Sequence, residues 1–359
     1  MISFFGIIHQ SGGCGPELLG AIGALQKLGC PVRCIVPIGD PITASDRADY
    51  LRGLGVVVTN YRPGMFEQCP VLVSFGEGKC FEYMREYSDR PKYMMWSGCM
   101  SYETDEDVAA VRDGLVDEYI FQTQLCADTV GEAVSKRAGK QIAYRKGYRP
   151  CIDLNGIYSP QFPLKGGREF RVLKAVRDDA EKWHEDTWRM FVGVCGPAER
   201  EVRFDVAGWG PEAAAKIGSP IDPTSRWAGM LNMTLHPHVY GVDEMNGLYE
   251  AAHVLLHYYP FVESFGYATV QAMLAGAVVI GADEGGFREL IRHGETGFLA
   301  SSTDEAAYYT SRLAFEPELR DRIADAARDW VVDEGPGNLE LALPWWREIM
   351  ELRRAGGGL

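Results

Sequence analysis

The chain has 359 residues, 46% of them apolar and 24% charged, and a formal net charge of −14. Its length exceeds what one hydrophobic core usually supports, so two domains are expected. The negative charge disfavours DNA and anionic bilayers as general partners. The sequence contains no uninterrupted apolar run of about 18 residues, so we predict no membrane span. Nine cysteines without a CxxC pair are typical of a reduced compartment, so we expect a soluble cytoplasmic protein.

The first half of the sequence alternates short apolar runs with amphipathic helical patterns. The apolar run from Ile2 to Ile8 predicts a buried parallel strand. A polar turn with Gly12 and Gly13 follows, and the next helix is predicted to begin near Pro16. Further strands are predicted at 32–36, 55–59, 71–74, 92–96 and 119–122. This alternation indicates a doubly wound parallel sheet.

The composition changes between Tyr158 and Gly167, where prolines and glycines are frequent. We place a domain boundary here, which divides the sequence into residues 1–162 and 163–337. A second alternation follows, with strands predicted at 171–175, 202–207, 253–258 and 277–280. The sequence therefore indicates an α/β protein of two Rossmann-like, doubly wound domains, followed by a closing helix.

Residues 258–299 contain the polar groups from which we predict the chemistry. A strand ends before Glu263, Gly266 precedes a helix predicted at 267–275, and a glycine loop at 285–286 leads into another helix. Two helix N-termini at the carboxyl ends of parallel strands suit a diphosphate, because their N–H groups and dipoles attract anions. Glu263 is placed to accept hydrogen bonds from hydroxyls.

This segment resembles the retaining glycosyltransferases of the group 1, GT4-like family, whose motif is a glutamate, seven residues, a second glutamate and a later Gly-Gly loop. Glu263 aligns with the first glutamate, which in the family holds the donor sugar. Gln271 stands where the family has the second, which holds the ribose. Its amide can still donate and accept hydrogen bonds with vicinal hydroxyls, but the lost charge leaves the choice of donor open.

A second match lies upstream, in residues 171–182. They resemble the family's strand-terminal arginine followed five residues later by a lysine, here Arg177 and Lys182. Val176 and Trp183 replace the glycines that are usual beside these two positions. The resemblance implies that the two cations clamp the leaving diphosphate. The chemistry agrees, because departure of a nucleotide builds negative charge that fixed cations can stabilise without a metal.

The resemblance also implies a fold, a reaction and a set of binding residues. The fold is GT-B, with two Rossmann-like domains facing a central cleft, the first for the acceptor and the second for the nucleotide sugar. A helix at 338–355 is expected to pack back on the first domain. The reaction is hexosyl transfer from a nucleotide diphosphate sugar, carrying UDP or GDP, with retention of configuration and with no metal or other cofactor. The implied donor-binding residues are Gly12, Gly13, Gly241, Val242, Ser264, Phe265, Gly266, Tyr267, Ala268 and Gln271.

Other functions stay open at this point. A non-catalytic module that binds nucleotide sugars would fit Gln271 and a missing histidine. Family members often place that histidine after a strand of the first domain, where this sequence has none between Met95 and Met100. A sugar-nucleotide epimerase or a phosphorylase on the same fold is a further alternative.

Two polar runs resemble metal motifs but have simpler interpretations. Asp105–Asp107 resembles an Asp-x-Asp site, yet Thr104 before it predicts a helix N-cap with the acids in the first turn. His236 and His238 have no third ligand nearby in the sequence. We therefore predict no metal site.

A basic segment stands out in this acidic chain and leaves two interpretations open. It is either a solvated edge of the first domain or a surface for an anionic acceptor, such as a phosphoglycan, a lipid head group or a nucleic acid. Its cations are Lys136, Arg137, Lys140, Arg145, Lys146 and Arg149. The sequence leaves the oligomeric state open.

Overall fold

The computed structural model describes residues 1–6, 14–162, 169–194, 201–237 and 241–355. Contacts within the chain divide it into two compact units, the first formed by Met1–Asp153 with Asn338–Leu359 and the second by Leu154–Gly337. In the part of the chain that the structure describes, none of the helices combines the length and the apolar character needed to cross a membrane.

The boundary predicted after residue 162 falls inside the second unit. The residues before it already bond to that unit: the side-chain amide of Asn246 donates to the carbonyl of Ile157 over 2.9 Å, and that of Gln271 donates to the carbonyl of Tyr158 over 3.0 Å. The change in composition near Ser159 therefore follows the change of unit by several residues.

The first unit contains a six-stranded parallel sheet in the order β3-β2-β1-β4-β5-β6. Its inner strands are buried and largely apolar, as expected for a sheet covered on both faces, whereas the edge strand Val57–Asn60 is half-buried to exposed. The strands are β1 (Ile2–Phe5), β2 (Val32–Val36), β3 (Val57–Asn60), β4 (Leu72–Phe75), β5 (Met94–Ser97) and β6 (Glu118–Tyr119). The helices are α1 (Cys14–Lys27), α2 (Asp46–Gly53), α3 (Lys79–Tyr87), α4 (Asp105–Arg112), α5 (Gln124–Ala138) and the closing helix α13 (Leu343–Ala355).

The closing helix α13 belongs to the first unit. The ring of Trp346 lies 6.0 Å from that of Phe4 on β1, and the ring of Trp345 lies 4.9 Å from that of Tyr148, measured between centroids. Both tryptophans are buried. The end of the chain therefore completes the core around the first strand.

The second unit contains another six-stranded parallel sheet, in the order β12-β11-β10-β7-β8-β9. Its strands are β7 (Phe170–Ala175), β8 (Val202–Ala207), β9 (Met233–His236), β10 (Val254–His257), β11 (Val278–Ala282) and β12 (Gly297–Ala300). Its helices are α6 (Thr187–Val194), α7 (Pro211–Ile217), α8 (Val242–Ala251), α9 (Tyr267–Leu274), α10 (Phe287–Leu290), α11 (Thr303–Phe315) and α12 (Pro317–Asp333). The prediction of two Rossmann-like, doubly wound domains is confirmed.

In each sheet the strand order reverses at one place, between β1 and β4 in the first unit and between β7 and β10 in the second. Loops that follow the two strands at such a point diverge, and they leave a crevice at the carboxyl ends of the strands where ligands commonly bind. The segments after β7 and β10 contain Arg177, Lys182 and Glu263. The fold therefore brings the candidate residues of the second unit to one place.

Thr104 is the N-cap of α4 and the acidic run forms the first turn of that helix, as the sequence predicted. Thr104 accepts from the backbone N–H of Asp107, and the Asp107 carboxylate accepts from the backbone N–H of Thr104 over 2.8 Å. The same buried carboxylate accepts from the Trp96 indole over 2.7 Å and from the Tyr119 hydroxyl over 2.6 Å. This capping box satisfies the first turn of α4.

Candidate active site

Glu263, Lys182 and Tyr259 form a hydrogen-bonded cluster beside the switch point of the second sheet. The Glu263 Oε2 atom lies 2.9 Å from Lys182 Nζ and accepts from the Tyr259 hydroxyl over 2.8 Å. The two charged side chains are only 8% (Lys182) and 18% (Glu263) exposed. Lys182 ends a 3-10 turn that Asp179 caps at its start, and this turn directs the lysine toward the loop after β10.

The cluster stabilises an ionised carboxylate. Burial opposes the charge of Glu263, but the ammonium of Lys182 and the hydrogen bonds from Lys182 and Tyr259 outweigh it, so the pKa of Glu263 is lowered. Burial and the neighbouring carboxylate raise the pKa of Tyr259 well above its usual value. Tyr259 therefore stays a hydrogen-bond donor, and Glu263 stays an acceptor.

Arg177 lies near this cluster but is far more accessible. Its side chain is 56% exposed, and it pairs with Asp179 over 3.6 Å. Its positive charge acts on Lys182 and on Tyr259 in the direction that weakens protonation. The structure thus brings together both cations predicted from the sequence, one nearly buried and one open to solvent.

Aromatic rings surround the two lysines of the site. Lys182 Nζ lies 3.5 Å from the ring centroid of Phe261 and 4.9 Å from that of Tyr259. Lys174, on β7, is wholly buried, and its Nζ lies 5.1 Å from the ring of Trp183 and 5.2 Å from that of Tyr259. Such geometry allows cation–π attraction.

His257 is the last residue of β10, and its imidazole is neutral. Its Nε2 lies 2.6 Å from the carbonyl oxygen of Ala175, and because a carbonyl only accepts, Nε2 carries the proton. Burial lowers the pKa of His257 to about 4, although this hydrogen bond partly offsets the effect. Its buried Nδ1 has no partner among the described residues.

Close packing of the backbone explains why glycines occupy positions 285 and 286. A Cβ on Gly286 would lie 2.6 Å from the carbonyl oxygen of Phe265, and one on Gly285 would lie 2.7 Å from that of Glu263. The backbone N–H of Gly286 donates to the same Glu263 carbonyl over 2.8 Å. Gly266, with φ of +98°, precedes α9. The two glycines therefore hold the loop of Glu263 in place.

The remaining predicted donor residues are placed as follows, and their roles stay predictions. Gln271 is buried on α9, with its amide donated to Tyr158 as described above. Ser264, Phe265 and Tyr267 are buried beside it, and Ala268 is half-buried on the same helix. Gly241 is the N-cap of α8 and Val242 its first residue. Gly12 and Gly13 lie outside the described residues, as does His238.

Part of the basic segment is engaged in ion pairs within the first unit. Arg145 bridges Glu118 over 3.2 Å and Glu348 over 2.8 Å, and Arg137 pairs with Asp105 over 2.5 Å. The other four cations are exposed: Lys136, Lys140, Lys146 and Arg149.

The local sequence could have identified three of the residues that our prediction missed. Tyr259 and Phe261 lie in the segment directly before Glu263. Lys174 is a cation inside an otherwise apolar central strand, which is unusual in a parallel sheet. His257 gave no signal of its own, because its role depends on the carbonyl of Ala175 on the neighbouring strand.

Residues 178–314 match the model of the protein family described as Glycosyl transferases group 1. The second unit is a group 1 glycosyl transferase domain. The family resemblance found in the sequence is therefore confirmed for this unit, with Lys182 and Glu263 inside the matched range.

A curated relative matches part of this chain. The D-inositol 3-phosphate glycosyltransferase of Streptomyces scabiei is 36% identical over 89 residues, which are 24% of this chain and 20% of that protein. The chain thus spans about a fifth of the relative's length in this match.

Two solved structures resemble this chain over nearly its whole length. HepE from Anabaena, in complex with UDP, has a TM-score of 0.63 at 15% identity, and the alignment covers 98% of this chain and 100% of the HepE chain. Sucrose-phosphate synthase from Thermosynechococcus elongatus has a TM-score of 0.67 at 15% identity and covers 99% of each chain. The likeness establishes the GT-B fold.

Proposed function

We propose that this protein is a glycosyltransferase that moves a hexosyl group from a nucleotide diphosphate sugar to an acceptor, with retention of configuration and without a metal. The observation that carries the proposal is the buried Lys182–Glu263 pair with Tyr259, beside Arg177, at the switch point of the second sheet. The group 1 domain and the glycosyltransferase name of its relative support the reaction class.

The two cations suit a departing nucleotide. As the bond from the sugar to the diphosphate breaks, negative charge grows on the phosphate oxygens. Lys182 is nearly buried, so its charge acts in a medium of low dielectric constant, where it is more effective than in water. Arg177 is exposed enough to reach a ligand and offers a planar fork that matches two phosphate oxygens. Arg177 and Lys182 are therefore the proposed diphosphate clamp.

Glu263 is the proposed acceptor for the hydroxyls of the donor sugar. Its Oε2 atom takes two hydrogen bonds, and a carboxylate has further lone pairs that can accept from hydroxyls. In the proposed front-face route, the acceptor oxygen bonds to the anomeric carbon on the side from which the phosphate leaves. The leaving phosphate takes the proton of the acceptor hydroxyl, so no side chain has to serve as nucleophile or base.

UDP and GDP are the first donors to test. HepE was solved with UDP, and another partial relative, from Dictyostelium discoideum, is named a GDP-Man mannosyltransferase. For the acceptor, the exposed cations of the basic segment favour an anion. D-inositol 3-phosphate, which appears in the name of the Streptomyces relative, is a suitable first probe.

Calorimetry and a hydrolysis assay test the proposal. UDP or GDP should bind in excess EDTA, and UDP-glucose or GDP-mannose should slowly release the nucleotide when no acceptor is present. Loss of all binding on chelation would contradict the metal-free clamp. Binding of a sugar nucleotide without hydrolysis or transfer to any acceptor would favour the non-catalytic module.

A further inference from the structure

Lys174 is an unusual residue for the centre of a parallel sheet. It lies on β7, none of its surface is exposed, and its Nζ has no hydrogen-bond partner in the part of the chain that the structure describes. Val206 is its register partner on β8, and the rings of Trp183 and Tyr259 face its amine. An unpaired ammonium in such surroundings is strongly disfavoured, so burial favours the neutral amine.

Among the described residues, Lys182, His257 and Tyr259 interact with Lys174, and all three belong to the candidate site, to which Glu263 is linked through Tyr259. Lys182 comes from the turn after β7, His257 from the end of β10, and Tyr259 and Glu263 from the loop that follows. Burial, aided by the charge of Lys182, lowers the pKa of Lys174 to about 7. A change in nearby charge therefore changes its protonation near neutral pH.

We propose that Lys174 is a proton-linked positioning residue of the donor site, whose buried amine becomes an ammonium when a diphosphate binds beside Arg177 and Lys182. The inference rests on the proposed function and adds a third cation to it, one whose protonated fraction rises when the site is occupied. The new ammonium lies against the ring of Tyr259, which holds Glu263 through its hydroxyl. It thus acts on the sugar-binding carboxylate through another side chain.

The direction of the linkage follows from charge. The negative diphosphate offsets the repulsion between Lys182 and Lys174 and favours the protonated amine. Binding then takes up a proton, and the affinity must fall as the pH rises through the range in which only the occupied site holds that proton. Below this range both states are protonated and the linkage disappears.

Calorimetry with UDP-glucose measures the proton directly. This probe is a diphosphate diester without an ionisation near neutral pH, whereas free UDP has a terminal phosphate that titrates near pH 6. Titrations at pH 8 in buffers of different ionisation enthalpy give the number of protons taken up per site. We expect about 0.5 to 1 proton for the parent, none for Lys174→Met, and the parental value for the control Lys79→Met. Lys79 is exposed at the start of α3 in the first unit.

The parent alone provides a second measurement if Lys174→Met does not fold. Its affinity for UDP-glucose should fall about tenfold or more between pH 7 and pH 9. The same uptake in the parent and in Lys174→Met, or binding with no uptake and no pH dependence, would overturn this inference and leave the proposed function intact. Failure of the parent to bind either UDP-glucose or GDP-mannose at any pH would contradict the proposed function itself.

Discussion

At the scale of single residues, Glu263 combines a fixed charge with accepting capacity. Replacing it by glutamine keeps the size and removes the charge that pairs with Lys182. We expect Glu263→Gln to lower turnover of UDP-glucose by at least about 100-fold, because the hold on the sugar hydroxyls weakens. Affinity for free UDP should change only a few-fold, since UDP has no hexose. Steady-state assays and calorimetry measure the two effects.

The matched control is Glu318→Gln, which removes an exposed glutamate from the first turn of α12 in the same unit. It should leave both quantities unchanged. Parental turnover in Glu263→Gln would mean that the role implied by the family does not apply to this residue.

The burial of Lys174 also leads to a prediction about the stability of the protein. Its pKa of about 7 in the folded chain lies below the ordinary lysine value of 10.5. Between these values the unfolded chain binds more protons, so the free energy of unfolding rises with pH. Lys174→Met should raise the free energy of unfolding by about 2–4 kcal/mol near pH 7, and less at pH 9. Denaturant unfolding at several pH values measures this difference. A lower free energy of unfolding for Lys174→Met than for the parent at pH 7 would contradict the prediction.

Gln271 has two candidate roles that separate experimentally. Its amide donates to the carbonyl of Tyr158 within the second unit, and the family resemblance adds a ribose contact. We expect Gln271→Ala to weaken UDP binding by about 0.5–1.5 kcal/mol, measured by calorimetry. Unchanged UDP affinity with a lower melting temperature would leave only the packing role. Gln271→Glu restores the family's residue but loses the donor to Tyr158.

At the scale of elements, the glycine loop fixes the position of the Glu263 segment. Gly286 has an ordinary φ of −60°, so the obstacle to a larger residue is steric. A Cβ there would lie 2.7 Å from the Cα atom of Phe265 and still closer to its carbonyl oxygen, and both are backbone atoms. We expect Gly286→Ala to cost about 2 kcal/mol or more of stability and to weaken donor binding, as followed by thermal melts and calorimetry.

Gly247 provides the comparison for this substitution. It lies inside α8, and apart from its chain neighbours and the nearby backbone of the same helix, no atom of the described residues lies within 4 Å of a Cβ built on it. Gly247→Ala should be neutral or stabilise the protein by about 0.5–1 kcal/mol. Equal changes in stability for Gly286→Ala and Gly247→Ala would show that the glycine loop does not pack against the Glu263 segment as described.

The elements also show which features the sequence can predict. The buried central strand β10 is an apolar run up to His257, and it was predicted at 253–258, where it occurs. The edge strands β9 and β12 were missed, because the four residues of β9 are all half-buried and β12 begins with a glycine. Lys182 and Glu263 were predicted through their motifs. The contacts of Lys174 and His257 depend on strand order, which no local pattern contains.

At the scale of the whole molecule, the basic segment opposes a net charge of −14. Arg137 and Arg145 are committed to ion pairs, so the exposed lysines test its function without breaking those contacts. If the acceptor is anionic, reversing Lys136, Lys140 and Lys146 to glutamate should raise its Michaelis constant several-fold at low salt and flatten the salt dependence. Donor hydrolysis should not change. With D-inositol 3-phosphate as acceptor, identical kinetics at low and high salt would leave the segment as a solvated edge.

The position of α13 has a consequence for synthesis of the chain. The second unit is inserted between Asp153 and Asn338 of the first, so the ribosome completes the second unit before it makes the helix that covers Phe4 and Tyr148. Domains generally fold as units, and here the unit that begins earlier must finish later. Until residues 338–355 emerge, the nascent first unit exposes the apolar surface that Trp345 and Trp346 later cover. During that interval this apolar surface is open to association with other chains.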